Sequence, residues 1–345
     1  MRIALDAMGT DQHPAVEVEG ALQAMRELPG DFTILLVGDR ERIEAELARA
    51  GAAASTRLAV IHAPDCIEPG EPAVTAVRRK PDSSIVVGLK LQREGKADAF
   101  VSAGSTGAVM AASLFHLRAL PGVDRPAIAT ILPTAVQPLL LLDSGANVDC
   151  KPHHLVQFAR LGSIYVEDVW QRAQPRVGLL NIGEEPEKGD ELTVEAHRLL
   201  AESDLNFVGN IEGRDVIRGS CDVLVADGFV GNVLLKFYES IAGFVHGLLR
   251  AEIADEHASL DLDKVFRVFD YTEYGGAPLL GVNGISIICH GGSPPRAIRN
   301  AIRVAVQAID ARMLGHIERA IAAHGEVTPS AERDRDQGTM EQEGA

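Results

Sequence analysis

Short apolar runs alternate with longer amphipathic segments along the whole chain, and this rhythm restricts the available folds more than any single motif does. The runs are Arg2–Asp6, Phe32–Val37, Leu58–Ile61, Ala99–Val101, Ala127–Leu132, Leu139–Asp143, Val177–Asn181, Asn206–Val208, Val223–Ala226 and Ile285–Cys289. Apolar strands separated by helix-length segments predict a mostly parallel sheet buried by helices on both faces. No internal repeat or Pro/Gly/Ser-rich linker breaks the pattern, so we read one continuous sheet in an α/β domain spanning residues 1–325. Between Gly231 and Leu249, apolar residues at Leu234, Phe237, Ile241, Phe244, Val245, Leu248 and Leu249 fall near helical spacing, ahead of a polar turn and Leu260–Phe269. This predicts a helical arm at about 232–272, serving either as a core or dimer helix or as a surface element that touches a membrane or acyl chain.

Composition removes several function classes. With 345 residues and 46% hydrophobic content, the chain can bury a large core. It holds no run of ~18 apolar residues, and Asp6 interrupts the first apolar stretch, so neither a membrane span nor an export signal is expected. Cys66, Cys150, Cys221 and Cys289 lie far apart with no CxxC pair, which argues against a zinc site or disulfide framework and for a reducing, cytoplasmic setting. A formal charge of −16 argues against nucleic acid as a partner, because phosphate backbones are bound by Lys and Arg. Part of that charge sits in residues 326–345, where six acids outnumber two bases without apolar periodicity, and this tail reads as disordered.

Several runs end in small or polar residues, where open α/β sheets collect ligands. Ser102-Ala103-Gly104-Ser105-Thr106-Gly107-Ala108 follows an apolar strand and opens an Ala-rich helical segment. Free N–H groups at a helix start, two hydroxyls and closely approaching glycines suit a phosphate-like anion; a tight structural corner is the alternative. No Lys stands where a nucleotide P-loop needs one. Similar ends occur at Asp143–Asn147, Asn181–Glu184, Val208–Asn210, Asp227–Phe229 and His290–Ser293. The loop Gly183–Glu191 places one Lys, Lys188, among carboxylates; it is either a solvated acidic loop or one that turns Lys188 inward to an anion.

Seven motifs occur in one order: DAMGTD (6–11), SAGSTGA (102–108), LLDSGAN (141–147), LLNIGEEPEKGDE (179–191), GNIEGRD (209–215), ADGFVGNVLLK (226–236) and YGGAPLLGV (274–282). From Met1 to about Arg312 the chain resembles the bacterial PlsX family, the acyl-carrier-protein:phosphate acyltransferases of phospholipid synthesis. The resemblance implies a Rossmann-like three-layer α/β/α sandwich similar to isopropylmalate dehydrogenases and phosphotransacetylases. It implies a homodimer that converts acyl-ACP and inorganic phosphate into acyl-phosphate and free acyl carrier protein, with no cofactor and no metal. The product would feed a downstream membrane glycerol-3-phosphate acyltransferase, with weak peripheral contact to the inner membrane surface.

Residue types then suggest roles. Gly104, Ser105, Thr106 and Gly107 would cradle phosphate, Lys188 would supply positive charge, and Asn232 would donate a hydrogen bond to the carbonyl or pantetheine arm. Asp6, Asn147, Asn181, Asn210, Glu212, Arg214 and Asp227 are supporting candidates with turn-capping alternatives, and His290 is either an acid to the leaving thiolate or a strand-end residue bonded to backbone. Phosphate is itself a nucleophile, so none is needed from the protein; there is no GxSxG elbow, and Cys150 beside His153 and His154 reads as incidental. Arg78, Arg79 and Lys80, and Arg296, Arg299 and Arg303, are local basic groups that either dock the acidic carrier protein or form solvated faces. Departures from the family pattern are Ser105 for Asn, Thr10 for Gly, Ser144 for Val, and a shorter, more acidic stretch between Ala251 and Asp270. Competing readings are a phosphotransacetylase-like enzyme using acyl-CoA, a metal-dependent hydroxyacid dehydrogenase, and a non-catalytic scaffold for carrier protein and membrane acyltransferases.

Overall fold

The apolar runs form strands as expected, but they divide between two sheets. A computed structural model describes residues 1–252 and 273–324. The first half contains β1 (Arg2–Asp6), α1 (Ala15–Glu27), β2 (Thr33–Gly38), α2 (Arg40–Arg49), β3 (Leu58–His62), α3 (Ala73–Arg79), α4 (Ser84–Arg93), β4 (Ala99–Ser102), α5 (Thr106–His116), β5 (Ala127–Ile128), β6 (Thr130–Leu132), β7 (Leu139–Leu142) and α6 (Pro152–Trp170). Then come β8 (Val177–Asn181), α7 (Glu191–Ala201), β9 (Phe207–Glu212), α8 (Gly213–Val216), β10 (Val223–Val225), α9 (Gly228–Glu252), β11 (Ala277–Leu280), β12 (Ser286–Ile288), α10 (Pro295–Asp310) and α11 (Met313–His324).

The first sheet has the order β3-β2-β1-β4-β12-β11-β5 and the second β6-β7-β10-β8-β9. Pairing is parallel except at β11, β5 and β6, which run antiparallel to their neighbours. Central strands such as β1 and β4 are buried on both faces beyond Arg2, which explains their unbroken apolar sequence. The single continuous sheet read from the sequence is therefore replaced by two, and the cause lies in the run Ala127–Leu132. Ala127 and Ile128 pair with β11, whereas Thr130 to Leu132 pair with β7, so the chain changes sheets at Ala129. The partner β11 escapes sequence reading because it is short, follows Gly275-Gly276 and contains Pro278.

One hydrophobic core nevertheless joins the sheets. Ile3, Leu5 and Val101 from the first and Leu140, Leu142 and Val223 from the second belong to the same buried cluster, bridged by Phe158, Leu161 and Tyr165 of α6 and Ile298, Ile302 and Ala305 of α10. Helix α10 packs against α1 on one side and α6 on the other. At Gly20 the backbones come so close that a Cβ would lie 2.6 Å from the Ile298 Cβ.

Helix α9 confirms the predicted helical period over 228–252; the remainder of the expected arm, 253–272, and the acidic tail lie outside the described residues. Leu234, Leu235 and Tyr238 pack on a buried cluster that includes Leu139, Leu141 and Leu224 of the second sheet. Phe229, Val233, Phe237, Ile241, Phe244 and Leu248 remain exposed on another face. Among the described residues no helix is long and apolar enough to cross a membrane.

The first turn of α9 is seated directly on the end of β7. A Cβ on Gly231 would overlap the Asp143 carbonyl oxygen. Gly231→Ala should therefore displace α9 and lower stability by about 1–3 kcal/mol, as overpacking does. Urea denaturation checks this, and an unchanged midpoint would show that α9 has slack at this contact.

Candidate active site

The first sheet reverses direction of winding between β1 and β4, the position where parallel α/β sheets open a crevice at their carboxyl ends. A cleft of about 570 Å³ lies there, lined by Met8–Asp11 after β1, Cys66–Pro69 after β3, Ala103–Thr106 after β4 and Cys289–Gly292 after β12. Gly104, Ser105, Thr106 and His290 of the expected site are thus brought together.

Buried carboxylates fix the cleft floor. Asp6 accepts hydrogen bonds from the Met8 N–H at 3.0 Å and the Ser102 hydroxyl at 2.7 Å, and Ser102 Oγ accepts from Gly104 N–H at 3.0 Å. The Gly104 N–H is consequently used inside the loop. Ser105 is the N-cap of α5 without a side-chain cap bond, and the first main-chain bond of the helix is from Val109 N–H to the Ser105 carbonyl. The N–H groups of Thr106, Gly107 and Ala108 are left as the helix's donors to whatever enters.

Glu17 of α1 was not anticipated. It is fully buried and accepts from the Gly9 and Thr10 N–H groups at 3.1 and 2.6 Å. Gly9 in turn lies against the neighbouring loop, where a Cβ would sit 2.6 Å from Gly104 N. Burial pushes the Glu17 carboxyl up to about 7, with the nearby Asp6 adding to the rise. Its position two turns beyond the DAMGTD motif, within an apolar helix face, was the available signal.

Cys66 and Cys289 line the same cleft, but burial pushes both thiols up to about 12, and Cys150 up to about 11. They are protonated and poor nucleophiles at neutral pH. The cleft walls hold the His290 pKa below the ordinary histidine value, with Glu239 of α9, 4.0 Å away, pulling in the opposite direction.

The remaining candidates sit at the carboxyl edge of the second sheet in two groups. Asn181 donates to the Lys188 carbonyl at 2.9 Å and accepts from Ile182 N–H at 2.8 Å, while Asn210 donates to the Glu185 carbonyl at 2.8 Å and meets His197 at 3.0 Å. Both asparagines therefore shape the loop that carries the exposed Lys188. Glu212 and Arg214 pair at 3.0 Å on the surface, with Glu184 at 3.9 Å from the guanidinium. No carboxylate among the described residues pairs with the Lys188 ammonium, despite its acidic surroundings.

Asp143 organises the other group. Its buried carboxylate accepts from the N–H groups of Ile128, Gly145, Ala146 and Asn147 and from the Asn147 amide. Burial still holds its pKa above the usual carboxylate range. Asn147 also donates to the Pro126 carbonyl and accepts through its own carbonyl from Gly228 N–H. Asp227 caps α9 by accepting from Phe229 and Val230 N–H at 2.8 and 3.0 Å. The exposed Asn232 lies over Gly145, its side-chain carbon 3.6 Å from where a Cβ would be. Asn147 and Asp227 thus play the turn-holding role, and Asn232 faces outward.

The basic groups fare differently. Arg78 and Arg79 are exposed, with Arg78 5.2 Å over the Phe115 ring of α5, but Lys80 pairs with Glu71 and donates to the Cys66 carbonyl. Arg296 pairs with Glu273 and Arg299 with Glu27, so two charges of the α10 row are offset, while the half-buried Arg303 donates to the Glu273 carbonyl. Among the described residues, Asp124, His153 and His154 have metal-ligand proximity. Lys151 N–H donates to His154 Nδ1 at 2.9 Å, which places the neutral ring's proton on Nε2 and removes the lone pair a metal would need.

Folding raises the Glu17 pKa from its ordinary 4.5 to about 7, so between these values the folded protein holds a proton that the unfolded chain has released. The stability this contributes is fully present below pH 4.5 and lost as pH rises through 7, a change of up to about 3 kcal/mol. Glu17→Gln lacks this decline, so its melting temperature relative to the parent should rise between pH 5 and 8. A difference that stays constant over that range would contradict the assignment.

A family model described as "Fatty acid synthesis protein" matches residues 1–315. The chain is 50% identical over 328 residues to the phosphate acyltransferase of Desulforamulus reducens, covering 93% of this chain and 97% of the relative. It is equally similar to that of Heliobacterium modesticaldum over 337 residues, 95% and 99% of the two chains. A phosphotransacetylase from Streptococcus pyogenes superposes with a TM-score of 0.62 at 17% identity, covering 90% of this chain and 94% of the other. A branched-chain phosphotransacylase from Enterococcus faecalis gives 0.59 at 13% identity, covering 90% and 99%. The two-sheet fold is therefore that of the phosphotransacylases, and the chain belongs to the phosphate acyltransferase family of fatty acid and phospholipid synthesis enzymes.

Proposed function

We propose that the enzyme moves a fatty acyl group from acyl-ACP to inorganic phosphate, giving acyl-phosphate and free carrier protein for phosphatidic acid synthesis. The observation that carries this reading is the cleft itself, lined by an open helix N-terminus and by thiols that stay protonated and so do not attack a thioester. A phosphate oxygen attacks the thioester carbonyl, a C–O bond forms as the carbonyl becomes an oxyanion, and the C–S bond then breaks to release thiolate, which takes a proton from solvent; His290, held below the ordinary histidine pKa, is a neutral ring at the rim rather than the acid. Oriented binding and stabilisation of the oxyanion supply the acceleration. In this scheme α5 and Ser105 hold phosphate, while Lys188 and Asn232 approach from the second sheet to meet the thioester oxygen and pantetheine arm.

Carrier-protein docking falls to Arg78 and Arg79, which remain exposed on α3 beside α5. The exposed apolar face of α9 supports a homodimer, with weak contact to the cytoplasmic membrane surface reserved for the end near Leu248. Delivery to a membrane glycerol-3-phosphate acyltransferase follows from the lability of an acyl-phosphate. The second reading, acyl-CoA as donor, draws on the likeness to phosphotransacetylases.

Palmitoyl-ACP should be consumed only with phosphate present and without added metal or nucleotide, as read by free carrier protein and acyl-phosphate. Lys188→Ala should lose roughly 10²–10³ in kcat, the usual effect of removing a transition-state charge partner. Turnover in phosphate-free buffer, or faster turnover of palmitoyl-CoA, would overturn the donor and acceptor assignment; a variant within threefold of the parent would return Lys188 to the solvated loop. Phe237→Glu with Phe244→Glu should shift sedimentation from dimer to monomer, and a monomeric parent would sink the dimer assignment.

A further inference from the structure

Positive charge strengthens an anion site, yet among the described residues the wall of the cleft contains neither Lys nor Arg. It carries Asp11 and Glu68 together with His13 and His290. A dianion entering such a wall meets helix N–H donors but also two carboxylates. The cations nearest this wall are turned onto main-chain carbonyls, Lys80 onto Cys66, with Glu71 beside it, and Arg42 onto His13, whereas α9 brings another across from the second sheet. Lys236 Nζ lies 2.9 Å from Glu239 Oε2, and the other oxygen of Glu239 is 4.0 Å from His290 Nε2 at the cleft rim. Lys236 also acts electrostatically on His290. Asn232 is one helical turn earlier on the same edge of α9 and lies over Gly145. This edge is distinct from the exposed stripe at Phe237, Ile241 and Phe244 and from the core side at Leu234 and Tyr238.

We infer that Lys236 is the lysine that binds inorganic phosphate in the cleft. An ammonium has three donors; Glu239 takes one and fixes the direction of the chain, leaving two for phosphate oxygens. Glu239 keeps the cation at the rim when no anion is bound, and His290 closes the row on the side of the first sheet. The division of labour places Lys236 on the attacking phosphate and Lys188 on the thioester oxygen. The inference rests on the cleft being the phosphate site, but not on the identity of the acyl donor.

The test uses the full chain and inorganic phosphate alone, titrated calorimetrically, followed by steady-state kinetics. Lys236→Ala should weaken phosphate binding at least tenfold and raise KM for phosphate by a similar factor with KM for the acyl donor unchanged. Lys236→Arg, which keeps the charge, should recover to within about threefold. Phosphate affinity within twofold of the parent in Lys236→Ala, or a rise confined to KM for the acyl donor, would overturn the inference. If phosphate binds in a Lys236-dependent way but no thioester is consumed, the acyl-transfer reading fails and this assignment stands. If turnover requires phosphate while Lys236→Ala is silent, the reverse holds.

Discussion

Buried carboxylates at the ends of central strands hold the loops on which the rest of this molecule depends. Asp6 closes β1 and Asp143 follows β7, and each turns the chain back by accepting the N–H groups just beyond it. Asp143 gathers five donors and Asp6 two, one of them through Ser102. Burying a carboxylate is costly unless its acceptor sites are filled, so these loops cannot relax without exposing that cost. The result is a rigid rim on each sheet, built before any ligand arrives. Glu17 adds a third such anchor from a helix, which makes the DAMGTD loop a clamp between α1 and the start of α5.

Helix α9 ties the two rims together. Its cap, Asp227, and its first turn are fastened to the second sheet through Asn147 and Asp143, whereas Glu239, three turns along, reaches His290 on the first. A shift of the helix seat at Gly231 would therefore change the spacing between the sheets as well as local packing. The core helices α6 and α10 set the same spacing from behind. Because both constraints act on one distance, the two halves of the site have little freedom to drift apart.

Strand periodicity made most of this fold legible, and the ordered motifs made the family legible. What escaped was nonlocal. A change of sheet at Ala129 leaves no mark in an apolar run, since residues on both sides are equally buried. Strand β11 is disguised by its glycines and proline. The arginines of α10 have the spacing of a basic face, yet Glu27 and Glu273 are far away in sequence and meet them only after folding. Glu17 looked like one acid among many because its value lies in the two backbone donors it covers. Asn181 and Asn210 read in the sequence only as supporting residues or turn caps; folding turns an amide N–H of each onto a main-chain carbonyl of the loop that carries Lys188.

A net charge of −16 is less of an obstacle to an anion-binding enzyme than it first seems. Charges separated by more than about 10 Å through solvent are largely screened at ordinary ionic strength, so the surface total contributes little inside a cleft. What acts there is the local set: the oriented N–H groups of α5, the carboxylates fixed behind the loops, and the Lys236–Glu239 pair beside His290. Many of the arginines are engaged with acids elsewhere, as at Arg198 with Glu195 and Glu202 and at Arg176 with Asp222. A background that is acidic and internally paired repels stray anions from most of the surface. On the proposed reading, it leaves the preorganised donors of one cleft as the place where a phosphate is better satisfied than in water.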